Sequence, residues 1–158
     1  MVNEFLRRIE VISSNAMLQT VVFDTSSAEP SLKDKTRISR KKRSLSPLDF
    51  NFSLEKNIEK ITMSELLSSS VTKRSITELL MQKTIEHMGE LNVNYVVAGN
   101  HKTYWSLNGQ TNQEENDHEE ADTLMIRCLR LGGDSLHTNV VSVYSADTDV
   151  FLLLSHSN

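Results

Sequence analysis

Two short acidic motifs near the C-terminus, Glu120-Ala-Asp122 and Asp147-Thr-Asp149, are separated by one apolar helix pattern and one short β-branched strand pattern. A fifth acid, Asp24, follows the apolar run Val21-Val-Phe23. Carboxylates gathered at one edge of a sheet raise each other's pKa unless a cation sits among them. Hard oxygen donors of this kind suit Mg²⁺ or Mn²⁺, so the chemistry to look for is metal-assisted. Each motif alone also reads as an ordinary Asp-rich turn.

The elements that must position these acids follow from hydrophobic spacing. Phe5, Leu6, Ile9 and Ile12 form one face of a short helix, and Ser13-Ser-Asn15 stops it. Leu18 to Phe23 reads as a buried strand with Asp24 at its carboxyl end, where ligands of parallel α/β sheets gather. Ser75-Ile-Thr-Glu78 is a capping box that opens a helix through Leu79, Leu80 and His87. His87 reads as a packed or surface histidine, because no second ligand sits at metal spacing. Tyr95-Val-Val-Ala-Gly99 is a second buried strand. His101 to Gly109 is a hairpin or an irregular excursion, and the polar stretch 106–117 is expected as a loop, as is 44–57. Trp105 reads either as a base-stacking residue or as a packed one.

Ala121, Leu124, Met125, Cys128 and Leu129 recur at helical spacing, with Glu120 and Asp122 flanking that seam in the first turn, where the helix dipole favours a carboxylate. Cys128 falls on the buried side. Gly132-Gly133 is expected to end the helix, and Val140 to Tyr144 to form a third strand that delivers Asp147 and Asp149. Residues two apart in extended chain share a face, so both acids can enter one cleft.

The net charge of −4 conceals a basic block. Seven of the 17 Lys and Arg residues fall between Lys33 and Arg43. Ser31 is a candidate N-cap and Pro47 lies beyond, so the block reads as a solvated helix with Lys33, Arg37 and Arg40 on one side and Lys41, Lys42 and Arg43 at its end. Such a stripe suits phosphate contact. The same run also reads as a disordered basic linker, or as a nuclear-import peptide in Arg40-Lys-Lys-Arg43.

With 158 residues and 38% apolar content, a single domain is expected. One cysteine excludes an intramolecular disulfide and a thiolate cluster, which fits a reducing compartment. No run of 18 apolar residues and no secretory leader pattern occurs, so an intracellular product without a membrane span is expected. There is no GxGxxG, Walker, GxSxG or HExxH motif, hence no sign of a small-molecule cofactor.

In order and type, these motifs resemble the PIN-like nucleases of the flap endonuclease and XPG class. Val21-Val-Phe-Asp24 followed by Lys33 and Arg40 is similar to that family's strand-end Asp and the helix carrying its phosphate-gripping cations. Glu120-Ala-Asp122 is similar to its Glu-Ala-Glu, and Asp147-Thr-Asp149-Val-Phe-Leu to its Asp-x-Asp-x-Leu. A second resemblance, from about Val21 to Leu154, is to transposon-associated animal proteins carrying His-Glu-Glu-Ala-Asp-Thr (here His118 to Thr123) and Asp-Thr-Asp-Val (Asp147 to Val150).

The resemblance implies an α/β/α sandwich with a mainly parallel central sheet, and Asp24, Glu120, Asp122, Asp147 and Asp149 as ligands of Mg²⁺ or Mn²⁺. Lys33 and Arg40 become the catalytic cations, within a nucleic-acid-binding set completed by Arg37, Lys41, Lys42 and Arg43. It implies a nuclease acting on nucleic acid, DNA before RNA, in the nucleus before the cytoplasm. The family's earlier strand-end Asp has no counterpart before Asp24, and its later Asp and DNA clamp fall past Leu154. The chain is therefore expected to be a single PIN-like domain truncated at both ends, active or a catalytically inactive nucleic-acid-binding remnant.

Overall fold

The computed structural model describes residues 2–24, 69–117, 121–136 and 142. Its elements are α1 (Val2–Ser13), β1 (Gln19–Val22), α2 (Ser70–Glu90), β2 (Tyr95–Gly99), β3 (Lys102–Leu107), β4 (Gln110–Glu115) and α3 (Ala121–Leu136). The basic block, the 44–57 loop and the strand expected at 140–144 lie outside the described residues, apart from Ser142.

The strands form one mixed sheet in the order β1-β2-β3-β4. β1 and β2 run parallel, while β2–β3 and β3–β4 are antiparallel. Among the described residues the sheet is therefore not mainly parallel. Two-residue connections impose this, since they can join only antiparallel neighbours. Asn100 and His101 have φ of 45° and 63°, and Asn108 and Gly109 have φ of 53° and 78°. Left-handed backbone at both central residues is the type I′ turn, whose twist matches that of the strands it joins.

The loop expected over 106–117 is corrected here, because Gln110–Glu115 pairs with β3 along its whole length. Its side chains are almost all exposed, so backbone hydrogen bonds hold it and no apolar alternation marks it in the sequence.

Strand alternation divides the core into two layers. Val21, Phe23, Tyr95 and Val97 face one way, against Ile9 of α1 and Met81, Ile85 and Met88 of α2. Val22, Val96, Ala98 and Trp105 face the other way, against Leu124, Cys128 and Leu131 of α3. Helices thus cover both faces, and β2, buried throughout, is a continuous apolar run rather than an alternating one.

The burial of one helix residue and the limits of two helices differ from the sequence expectation. Ile12 at the end of α1 is half exposed rather than packed with Ile9. α2 starts at Ser70, not Ser75: the Ser69 hydroxyl accepts from the Thr72 amide at 3.3 Å, and Glu78 pairs with Arg74 rather than closing a box. α3 continues through Gly132-Gly133 to Leu136. Gly132 is a point of close approach, since a Cβ there would overlap Leu18 Cδ2. None of the described helices is long and apolar enough to cross a membrane.

Candidate functional site

The parallel pair β1–β2 defines a carboxyl edge. At its end the Phe23 amide donates to the Ala98 carbonyl at 2.8 Å, extending the ladder by one residue beyond β1. Gly99 makes this closure feasible. A Cβ on it would stand 2.8 Å from Phe23 Cβ and 3.2 Å from the Phe23 carbonyl oxygen, and its φ of +157° disfavours a side chain. Asp24 follows, exposed. Because Val22 belongs to the α3 layer, Asp24, two residues on, shares that side by strand alternation.

The second acid reaches the same edge by a different route. On leaving β4, the chain is pinned by the Asn116 amide, which donates to the carbonyl of His101 at 2.8 Å, just past the carboxyl end of β2. α3 begins five residues later, at Ala121, and its Gly132 abuts Leu18 at the opposite end of β1. The helix therefore runs antiparallel to β1 and β2. From Asp122 to Gly132 it rises about 15 Å, against roughly 20 Å of extended chain from Leu18 to Asp24. Asp122, half buried in the first turn, thus lies at the carboxyl edge on the same side as Asp24. Its Oδ1 accepts from the Thr123 amide at 2.9 Å.

Nothing in the sequence singles out Asn116. It is buried, donates from Nδ2 to Thr103 Oγ1 at 3.0 Å, and leaves its own buried Oδ1 without a partner. Beside it, Arg127 of α3 donates to Glu114 of β4 at 2.7 Å, tethering the helix to the last strand.

Of the remaining expected ligands, Glu120, Asp147 and Asp149 lie outside the described residues, as do Lys33, Arg37, Arg40, Lys41, Lys42 and Arg43. Among the described residues no group of three or more His, Cys, Asp or Glu side chains converges on a metal position. The described chain supplies two of the five acids.

Other reactive side chains have structural places. Burial pushes the Cys128 thiol up to about 12, which leaves it protonated and inert at neutral pH. Trp105 packs against the α3 layer. His87 lies 2.9 Å from Glu10, joining α2 to α1 as a charge pair when the imidazole is protonated, without the alignment of a hydrogen bond. Models of known families, curated proteins and solved structures were all compared with the chain, and none matches it.

Proposed function

We propose that the chain is a metal-dependent phosphodiesterase of the flap-nuclease kind, or a fragment of one, acting on nucleic acid. One observation carries this reading: a strand-end acid and a helix-start acid from distant parts of the sequence, Asp24 and Asp122, reach the same side of the carboxyl edge of a parallel strand pair. Ligand sites of α/β sheets form at that edge. The donors fit Mg²⁺ or Mn²⁺, being hard carboxylate oxygens.

Asp24 and Asp122 would hold the cation together with Glu120, Asp147 and Asp149. When bound, it supplies the Lewis acidity that phosphodiester hydrolysis requires. Lys33 and Arg40 would orient the scissile phosphate and offset the charge that builds on it. Arg37, Lys41, Lys42 and Arg43 would hold the flanking backbone, with DNA preferred to RNA. The complete sheet belongs to the same proposal: the Val140–Tyr144 pattern would add a parallel strand and make the domain PIN-like. If Arg40-Lys-Lys-Arg43 also serves nuclear import, the site of action is the nucleus.

The test is cleavage of flapped DNA by the purified chain with Mg²⁺ or Mn²⁺. Alanine at Asp24, Asp122, Asp147 or Asp149 is expected to lower the rate by at least about 100-fold, since even residues that only support metal ligands affect activity by about 10–100-fold. Cleavage unchanged in Asp147→Ala and Asp149→Ala proteins overturns the reading. Salt-dependent DNA binding without turnover would instead identify an inactive nucleic-acid-binding remnant.

A further inference from the structure

Asn116 makes hydrogen bonds that the fold explains and leaves one group that it does not. Its amide and Nδ2 clip the end of β4 to the β2–β3 turn, through His101 O at 2.8 Å and Thr103 Oγ1 at 3.0 Å. The residue is only 6% exposed, and its Oδ1 accepts from nothing. A buried acceptor left empty is costly and uncommon in folded chains. Of the side chain, the clip uses Nδ2 alone and leaves the carbonyl oxygen of the same carboxamide unaccounted for.

The direction of the side chain follows from the register. Thr103 pairs with Ala98, and Ala98 packs beneath α3, so the Thr103 hydroxyl and the amide bonded to it lie on the α3 side of the sheet. That is the side that Asp24 and Asp122 share. Asn100 offers a control within the same edge. Its Oδ1 is also unpartnered, but its Nδ2 donates to Arg74 O at 3.4 Å, which turns it toward α2 and away from the acids.

We infer that Asn116 Oδ1 is a neutral oxygen donor to the divalent cation of the carboxyl edge. The inference rests on the metal-dependent reading above and names a ligand which that reading lacks. A neutral carboxamide completes an oxygen shell without adding to the repulsion among carboxylates. It also explains why a carbonyl oxygen is buried there with no donor among the described residues.

Isothermal titration of Mn²⁺ into the full chain tests this, comparing the unmodified protein with Asn116→Ala, Asn116→Asp and Asp122→Ala. Asn116→Ala is expected to weaken Mn²⁺ binding about 10-fold. Asn116→Asp is expected to bind at least as tightly as the unmodified chain and to gain more thermal stability from Mn²⁺ than that chain does. Should the alanine variant not fold, Asn116→Ser is a polar replacement that also loses the carbonyl oxygen, with the same weakening expected. Mn²⁺ affinity that falls in Asp122→Ala but is unchanged in Asn116→Ala or Asn116→Ser overturns the inference and leaves the acidic site standing. No Mn²⁺ uptake by the unmodified chain overturns both.

Discussion

The two faces of the sheet are covered by different materials. Under α1 and α2 lie long side chains, Met81, Met88, Tyr95 and Val97, with the Phe5 and Phe23 rings 5.8 Å apart at the margin. Under α3 the small residues Ala98, Cys128 and Gly132 stand among larger ones, Leu124, Leu131, Val96 and Trp105. Long side chains hold a helix off the sheet and bury much apolar area. Small ones let backbones approach, which fixes where a helix lies along its strands. Long apolar side chains thus dominate the α2 layer, while the close approach of Gly132 to Leu18 sets where α3, and with it Asp122, lies along the strands.

The largest expected effect tests the first half of that division. Met88 is fully buried, so Met88→Ala should lower the free energy of unfolding by about 2–5 kcal/mol in a urea titration. Mn²⁺ affinity measured on the remaining folded protein should not change. A matching fall in affinity would mean that the two layers are not separable. Gly132→Ala probes the other half. Alanine favours a helix over glycine by about 1 kcal/mol, but overlap with Leu18 Cδ2 opposes this with an overpacking cost of about 1–3 kcal/mol. The expected net result is a loss near 1 kcal/mol, together with weaker Mn²⁺ binding as the first turn of α3 shifts. Leu18→Ala in the same chain removes the overlap, so the cost of the Gly132 change should vanish in a double-mutant cycle. Simple additivity would show that Gly132 is not a packing contact.

How far this division can be read from sequence depends on what holds each element. β1 and β2 are legible as short apolar runs and the buried seam of α3 by its helical period, and Leu124 and Cys128 are indeed buried. β4 has no such period, because a solvated edge strand is held only by its backbone. The Asn108-Gly109 pair was the available sign of it, being the dipeptide that a type I′ hairpin turn favours. Ser75 looks like the start of α2 because Glu78 follows at capping-box spacing, but Ser69 caps the helix and Glu78 pairs with Arg74 instead. Gly132-Gly133 looks like a stop because glycine ends helices, yet the same missing Cβ also admits Leu18. Asp24 is legible as a strand-end acid. Asn116 is not, since its burial depends on a hairpin whose second strand carries no apolar signature.

Cys128 reports how dry the α3 layer is. Burial raises its thiol pKa from an ordinary value of 9.0 to about 12, so the folded chain keeps a proton that the unfolded chain releases earlier. The resulting stabilisation is fully present below about pH 9 and is lost as pH rises through 12. Cys128→Ala should therefore flatten the alkaline limb of the stability–pH curve. In the native chain at pH 8, iodoacetamide should label Cys128 far more slowly than in urea. Rapid native labelling would indicate an open layer, and α3 would then be a poor anchor for Asp122.

The smallest effect concerns the two turns that join the antiparallel strands. Both place two residues in left-handed backbone, but one supplies Asn108-Gly109 and the other Asn100-His101. Glycine tolerates φ near 60° freely, whereas a histidine there is strained by its Cβ. His101→Gly keeps the backbone carbonyl that receives the Asn116 amide, so the clip at the carboxyl edge survives the change. Relief of strain outweighs the greater freedom of glycine in the unfolded chain, and a gain of up to about 1 kcal/mol is expected in a thermal melt. A loss instead would mean that the exposed His101 side chain makes a stabilising contact at that edge. His101 would then be held in left-handed backbone by what its side chain touches rather than by the turn alone.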